Sequence, residues 1–278
     1  MQFGIHVRPT ADTLDVREIG RMVEAYGFDS LFFPEHTHIP TRLQSEYPGD
    51  PEWLRTCMQL FDPFVALGAV AAVTERLLLG TGVVLVPQHN PITLAKQVAT
   101  LDVISGGRVL FGVGAGWGRE EMVNHGTDPA LRWKLMRERV LAMKQIWTAD
   151  EPAFYGELVR FDPIWQWPKP AQRPHPPVLI GGEGPRVLER VVDYGDMWMP
   201  NDHPEIEQRM GELQRMAQAR GRGPIPVTVY AMAEEPEAIA RYTAAGVERC
   251  VFTVRSPDAE QFRATLGRLA DMTSEYRT

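Results

Sequence analysis

The chain has only two cysteines in 278 residues, Cys57 and Cys250, far apart and outside any C-x-x-C or Cys/His ligand spacing. That excludes a disulfide framework and a structural zinc site, and it fits a reducing, cytoplasmic setting. No apolar run reaches the length of a bilayer span, and the opening "MQFGIHV" reads as a strand with neither a basic leader nor a small-residue cleavage site. A soluble, untargeted protein with no membrane partner is expected. Basic runs are missing too: 29 Lys and Arg stand against 36 Asp and Glu, a formal net charge of −7, with the basic pairs interleaved among acids. Such a balance argues against nucleic acid as a partner and leaves a small-molecule substrate. The hydrophobic fraction of 44% is ample for a sizeable buried core.

Glycine is plentiful, and most conspicuous in "GRVLFGVGAGWGREE" (107–121), where an apolar run ends in four glycines at alternate positions. A strand, a G-x-G and then a helix would suggest a dinucleotide-binding loop. The spacing fails. Counted from Gly112, G-x-G-x-x-G places Trp117 at the third glycine; counted from Gly114, it places Arg119 there. Neither side chain permits the close helix-strand packing that the third glycine provides.

Short apolar or β-branched runs recur at 3–7, 30–34, 77–86, 108–114, 177–182, 197–200, 226–232 and 250–254. Helical patterns lie between or after them at 12–26, 62–74, 91–104, 133–148, 185–194, 204–220, 236–245 and 258–272. Eightfold strand-helix alternation predicts an α/β fold, a closed parallel (β/α)8 TIM barrel forming one domain over 1–278. A doubly wound open sheet is the alternative. Two stretches rich in Pro and aromatics, 37–59 and 149–176, exceed the minimal repeat and read as insertions of functional or lid type, the second with a small hairpin around Tyr155, Gly156 and Glu157.

In such a barrel the site forms at the C-terminal ends of the strands. Those ends are predicted to carry His6 and Arg8, Glu35 and His36, Gly82 and Val83, the 112–118 turn, Gly181 to Glu183, Trp198 to Asn201, Tyr230 and Met232, and Thr253 and Arg255. Glycines, aromatics and histidines suit a large planar cofactor on exposed backbone better than a metal cage, so no metal is expected. In "FFPEHTH" (32–38) a histidine at a strand end is readily a hydrogen-bonded structural residue; Glu35 beside His36 equally suits a tuned proton donor or acceptor. His36 and His38 lack a third ligand nearby in sequence. In "LIGGEGPRVLERV" Pro185 and the glycines can be a plain helix entry, or the helix start with Arg186 can hold a phosphate.

The stretch "NPITLAKQVATLDVISGGRVLFGVGAGWGREE" resembles the signature of the bacterial luciferase-like flavin and deazaflavin oxidoreductases, A-K-x-x-A-x-L-D-x-x-S-x-G-R leading into G-x-G-x-G-W. Here that is Ala95-Lys96, Ala99, Leu101-Asp102, Ser105, Gly107-Arg108 and then 112–117. "DSLFFPEH", "DPFVALGAVAAVTERLLLGTGVVLVPQ" and "PHPPVLIGGEGPRVLERVVDYGDMW" agree in order along nearly the whole chain. The resemblance implies the barrel and a cofactor at the strand C-termini, and its block pattern is most like the branch using coenzyme F420, with FMN as the alternative. It implies a hydride-transferring oxidoreductase in which His36, assisted by Glu35, handles the proton. The rivals are an FMN-dependent monooxygenase and a non-catalytic flavin- or deazaflavin-binding protein. Cofactor contacts are implied for His6, Gly82, Val83, Gly114, Gly116 and Trp117. Further contacts are implied for Gly181, Gly182, Glu183 and Arg186, with the ring near His36, Gly82 and Gly114 and the phosphate toward Gly181, Gly182 and Arg186. It also implies a cis peptide between Gly82 and Val83, and a homodimer, for which Val65, Leu67 and Val70 offer apolar surface. Two departures stand out: Asp196-Met197-Trp198 replaces the common D-G-W, and Ala115 stands where sugar-phosphate dehydrogenases of the family place a carboxylate. The loops 37–59 and 163–176 are expected to shape the substrate pocket.

Overall fold

The computed structural model describes residues 1–46, 51–255 and 258–277. Positions 47–50 of the first insertion therefore lie outside the described residues. The helix starts follow from local chemistry. The side chains of Asp15, Asp62, Asn90 and Asp258 accept from the N–H groups of Arg17, Val65, Ile92 and Gln261, satisfying donors that the first turn leaves without an intrahelical acceptor. Pro63, Pro91 and Pro236 occupy the first turn, where a missing amide hydrogen costs nothing. Beside two short helices, Pro51–Cys57 and Arg119–Asn124, the helices of the outer ring are α1 (Val16–Ala25), α2 (Pro63–Ala71), α3 (Pro91–Ile104), α4 (Arg132–Thr148), α5 (Val187–Tyr194), α6 (Ile206–Ala219), α7 (Pro236–Ala245) and α8 (Ala259–Thr273).

They alternate with β1 (Gln2–His6), β2 (Ser30–Phe33), β3 (Leu78–Thr81), β4 (Val109–Gly114), β5 (Val178–Gly181), β6 (Met197–Met199), β7 (Thr228–Met232) and β8 (Arg249–Thr253). Successive strands pair in parallel from β1 to β6, β7 pairs with β8, and β8 returns to β1. Parallel bridges from Trp198 to Val227 and from Asn201 to Tyr230 close the ring between β6 and β7. Closure removes the open-sheet alternative. The 77–86 run is not one strand: it divides into β3 and a two-residue strand, Val84–Leu85, on either side of a cis Gly82-Val83 peptide.

Two cores result. One fills the lumen with Phe32, Leu110, Leu179, Met197, Met199, Tyr230 and Val251; the other lies between strands and helices. Met197, where the resemblance leads one to expect glycine, thus supplies lumen volume. The signature residues Ser105 and Arg108 are scaffold. Arg108 is buried and donates to Ala71 O, Leu77 O and Thr74 Oγ1, tying α2 to β3 at the end of the barrel away from the mouth.

The second insertion holds the expected hairpin, Phe154–Tyr155 against Arg160–Phe161. The carboxylate of Glu138 on α4 accepts from the backbone N–H groups of Leu158 and Val159. Gln166 reaches Ile92 O on α3, and Gln172 reaches Asp102 and the first residue of β4, Val109. This places 149–176 along the outer wall, which corrects the expectation that 163–176 shapes the substrate pocket. A segment joining a helix to the next strand leaves from the N-terminal end of the barrel, whereas site loops follow strands. Of the proposed dimer residues, Leu67 and Val70 are fully buried and Val65 is 75% exposed, since the inner stripe of α2 packs on the barrel and its outer face meets solvent. No helix among the described residues is long and apolar enough to cross a membrane.

Candidate active site

The floor of the mouth is built around Val83. Its side chain lies against bare backbone at Gly114 and Gly181: a Cβ added at Gly114 would fall 2.6 Å from Val83 Cγ2, and one at Gly181 would fall 2.9 Å from Val83 Cγ1. Glycine at both positions is therefore a packing requirement, and it draws the ends of β3, β4 and β5 together. From the opposite wall, Tyr230 donates to the carbonyl of Gly82 at 3.0 Å. Burial pushes the Tyr230 phenol far above its ordinary range, so it stays a donor. Tyr230 is followed by Ala231 at φ 52, where the β7–β8 register shifts.

His6 sits behind this floor. Its Nδ1 lies 3.0 Å from Thr253 Oγ1, its ring centroid is 4.9 Å from that of Tyr230, and its Nε2 is buried with no hydrogen-bond partner among the described residues. Burial, and secondly the charge of Arg8, lowers its pKa well below the ordinary 6.5. His6 is a neutral ring at neutral pH.

His36 faces the mouth, but its carboxylate partner is not the one expected. Its Nδ1 is 3.0 Å from Glu121 Oε2, and Trp117 Nε1–H donates to its Nε2 at 3.3 Å. Indole is a donor only, so Nε2 must offer its lone pair and Nδ1 carries the hydrogen given to Glu121. Glu35 turns the other way: its Oε2 accepts from Leu85 N–H at 2.7 Å and its carboxylate meets His89 Nε2 at 2.9 Å. The expectation that Glu35 assists His36 is corrected accordingly, since neighbours in an extended segment project to opposite sides. His38 bonds to Thr37 and Asn124, beside His125. No group of side chains that could hold a metal occurs among the described residues.

Gly116 and Gly182 adopt φ of +80 and +108, the left-handed region that favours glycine. Beyond β5 the chain exposes backbone: a Cβ at Gly182 or Gly184 would meet nothing within 4 Å. Glu183 does not face that opening freely, because its carboxylate accepts from Asn201 N–H at 2.5 Å and thereby anchors the loop to β6. Arg186, the residue before α5, has a side chain 73% exposed and paired with Glu189 at 3.0 Å.

Glu121 and Gln88 were not singled out in the sequence. Glu121 lies on the short helix Arg119–Asn124, which directly follows the glycine turn; an acid seven positions beyond a strand-end glycine was the available signal. Gln88 lies beside Gly116, and both its amide atoms are buried without hydrogen-bond partners among the described residues.

A family model described as luciferase-like monooxygenase matches residues 1–271. An uncharacterised protein of Mycobacterium tuberculosis is 37% identical over 281 residues, covering 97% of this chain and 98% of that one. The FMNH2-dependent dimethylsulfone monooxygenase of Pseudomonas putida is 32% identical over 180 residues, 62% of this chain and 49% of that one. A solved F420-dependent secondary alcohol dehydrogenase, in complex with an F420-acetone adduct, superposes with a TM-score of 0.80 at 18% identity, covering 100% and 99% of the two chains.

Proposed function

Because the chain belongs to the luciferase-like monooxygenase family, we propose that it is a coenzyme F420-dependent oxidoreductase that moves a hydride between the deazaflavin and a small organic substrate. The observation that carries this reading is the pairing of the floor that Val83 forms on Gly114 and Gly181 with one partly buried proton-handling unit, Trp117–His36–Glu121. The residues fit a flavin-type ring. Val83, seated against Gly114 and Gly181, gives the ring an apolar floor, and the orphaned amide of Gln88 offers one donor and one acceptor, the two kinds of group that a ring pyrimidine edge requires. The open backbone at Gly182 and Gly184, with Arg186 nearby, fits a phosphate-bearing tail. When bound, the deazaflavin supplies two-electron hydride chemistry without the oxygen reactivity of a flavin.

The protein's part is then positional and acid-base. His36 Nε2 gives up the long hydrogen bond from Trp117 N–H to take the proton released when substrate is oxidised, and returns that proton in the reverse direction. Glu121 holds the ring in that tautomer and stabilises the imidazolium once formed. Tyr230 fixes the Gly82 carbonyl, and with it the floor. We place the enzyme in the cytoplasm as a homodimer, a reading supported by the two buried cysteines on separate elements and the exposed Val65.

The second reading, an FMN-dependent monooxygenase on the same barrel, is favoured by the FMNH2-dependent relative. Titrating the purified protein with F420 and with FMN, followed by anaerobic and aerobic turnover, separates the possibilities. Tighter F420 binding with oxygen-independent turnover is the expected result. Tighter FMN binding with oxygen consumption would establish the monooxygenase, and F420 binding with no turnover on any alcohol, aldehyde or ketone offered would favour a carrier.

A further inference from the structure

A cavity of about 600 Å³ opens at the ends of β1 and β8, beside the floor and apart from His36. Its volume is that of a pocket for a small organic molecule. Trp53, on the short helix Pro51–Cys57 of the first insertion, forms one wall and orders the cations: the Arg8 guanidinium lies 3.5 Å from the indole centroid and that of Arg255 lies 5.1 Å from it. Stacking holds a guanidinium by its face and leaves its N–H edge available. Arg8 Nη1 is such an edge, buried and without a hydrogen-bond partner among the described residues. A buried cationic donor left unmatched is a strong demand for an acceptor.

The remaining charges set the kind of acceptor. Arg268 also lines the cavity and is paired with Glu234 at 2.5 Å, and Asp12 lies at the rim. Among the described residues, three arginines and two carboxylates line the cavity. The unmatched Arg8 edge suits an anion, and the two acids oppose a second negative charge on it. The wall continues directly to the floor, because Thr253 lines the cavity and contacts His6, which packs on Tyr230, which bonds Gly82.

We propose that this cavity anchors the substrate by a carboxylate held on the Arg8 edge, so that the enzyme acts on an organic monocarboxylate whose reactive carbon extends past Thr253 toward the floor. That this ligand is the substrate rests on the oxidoreductase reading above; that the cavity takes a carboxylate does not. Benzoate, phenyl phosphate and benzyl alcohol are titrated calorimetrically into the full-length protein, with and without F420. Benzoate should bind tightest, its affinity falling with added salt, and benzyl alcohol about tenfold or more weaker, the scale of a charge-assisted hydrogen bond. Arg8→Gln should weaken benzoate about tenfold or more and leave benzyl alcohol unchanged. Asp12→Asn, at an exposed side chain that does not threaten folding, should tighten benzoate. Benzoate binding no better than benzyl alcohol, an unchanged benzoate affinity in a folded Arg8→Gln protein, or no gain in Asp12→Asn overturns the proposal, and phenyl phosphate binding above benzoate overturns the monoanion assignment. Failure of F420 to bind, with benzoate binding intact, would instead refute the cofactor reading and leave the carboxylate site standing.

Discussion

Replacing Glu121 by Gln tests the proton-handling unit while disturbing little else. An amide oxygen can still accept from His36 Nδ1–H at the observed 3.0 Å, so the tautomer and ring position survive and only the charge is lost. The two side chains are 1% and 9% exposed, so water screens the pair weakly. A hydrogen bond to a charged group contributes about 1.5–3 kcal/mol, and 1.36 kcal/mol is tenfold in rate. Glu121→Gln should therefore slow hydride transfer about 10- to 150-fold if the imidazolium develops in the transition state. The assay is single-turnover absorbance of the deazaflavin at saturating cofactor, with cofactor affinity expected within about threefold of wild type, since no ring contact is removed. Glu35→Gln is the control. It should leave the transfer rate near wild type and lower thermal stability, because Glu35 binds Leu85 N–H and His89 instead of His36. A wild-type rate in Glu121→Gln, or an equal slowing in Glu35→Gln, would refute the assignment of Glu121 as the positioning residue.

Gly114→Ala places a Cβ 2.6 Å from Val83 Cγ2. Overpacking of this kind costs about 1–3 kcal/mol, so calorimetry should show a lower Tm together with weakened cofactor binding; an unaltered affinity would mean that Val83 is not part of the floor. His6 makes stability pH-dependent. Its folded pKa is depressed, so below about 6.5 the unfolded chain takes up a proton that the native state refuses, and stability falls by up to about 1.4 kcal/mol per pH unit until the folded pKa is reached. His175, lowered mainly by burial, acts with the same sign. His6→Asn should flatten the decline of Tm between pH 7 and 5, and identical slopes would show that His6 is not the group responsible. Val65→Asp should convert the proposed dimer to a monomer in sedimentation, a test that a monomeric wild type would answer against the dimer at once.

Periodicity and capping residues alone determined the barrel. Alternation of short apolar runs with Asp- or Asn-capped, Pro-started helices leaves few ways to bury both faces of eight strands, and the ring of β1 to β8 follows that reading closely. Strand ends also placed His6, His36, Gly82, Gly114 and Gly181 around one mouth, because in a parallel barrel all strands finish on the same side. Only the tertiary structure decided which side chains meet there. Glu35 adjoins His36 in sequence yet serves His89, while Glu121, 85 positions away, reaches the imidazole. The same limit hid the cavity between β1 and β8. Arg8, Trp53 and Arg255 share no spacing in the chain, and the stacking that leaves an arginine edge unmatched exists only once two distant strand ends and an inserted helix are brought together. Local pattern dictates the backbone direction that each residue follows; the approach of one loop to another depends on the packing of the whole ring, which no stretch of sequence carries by itself.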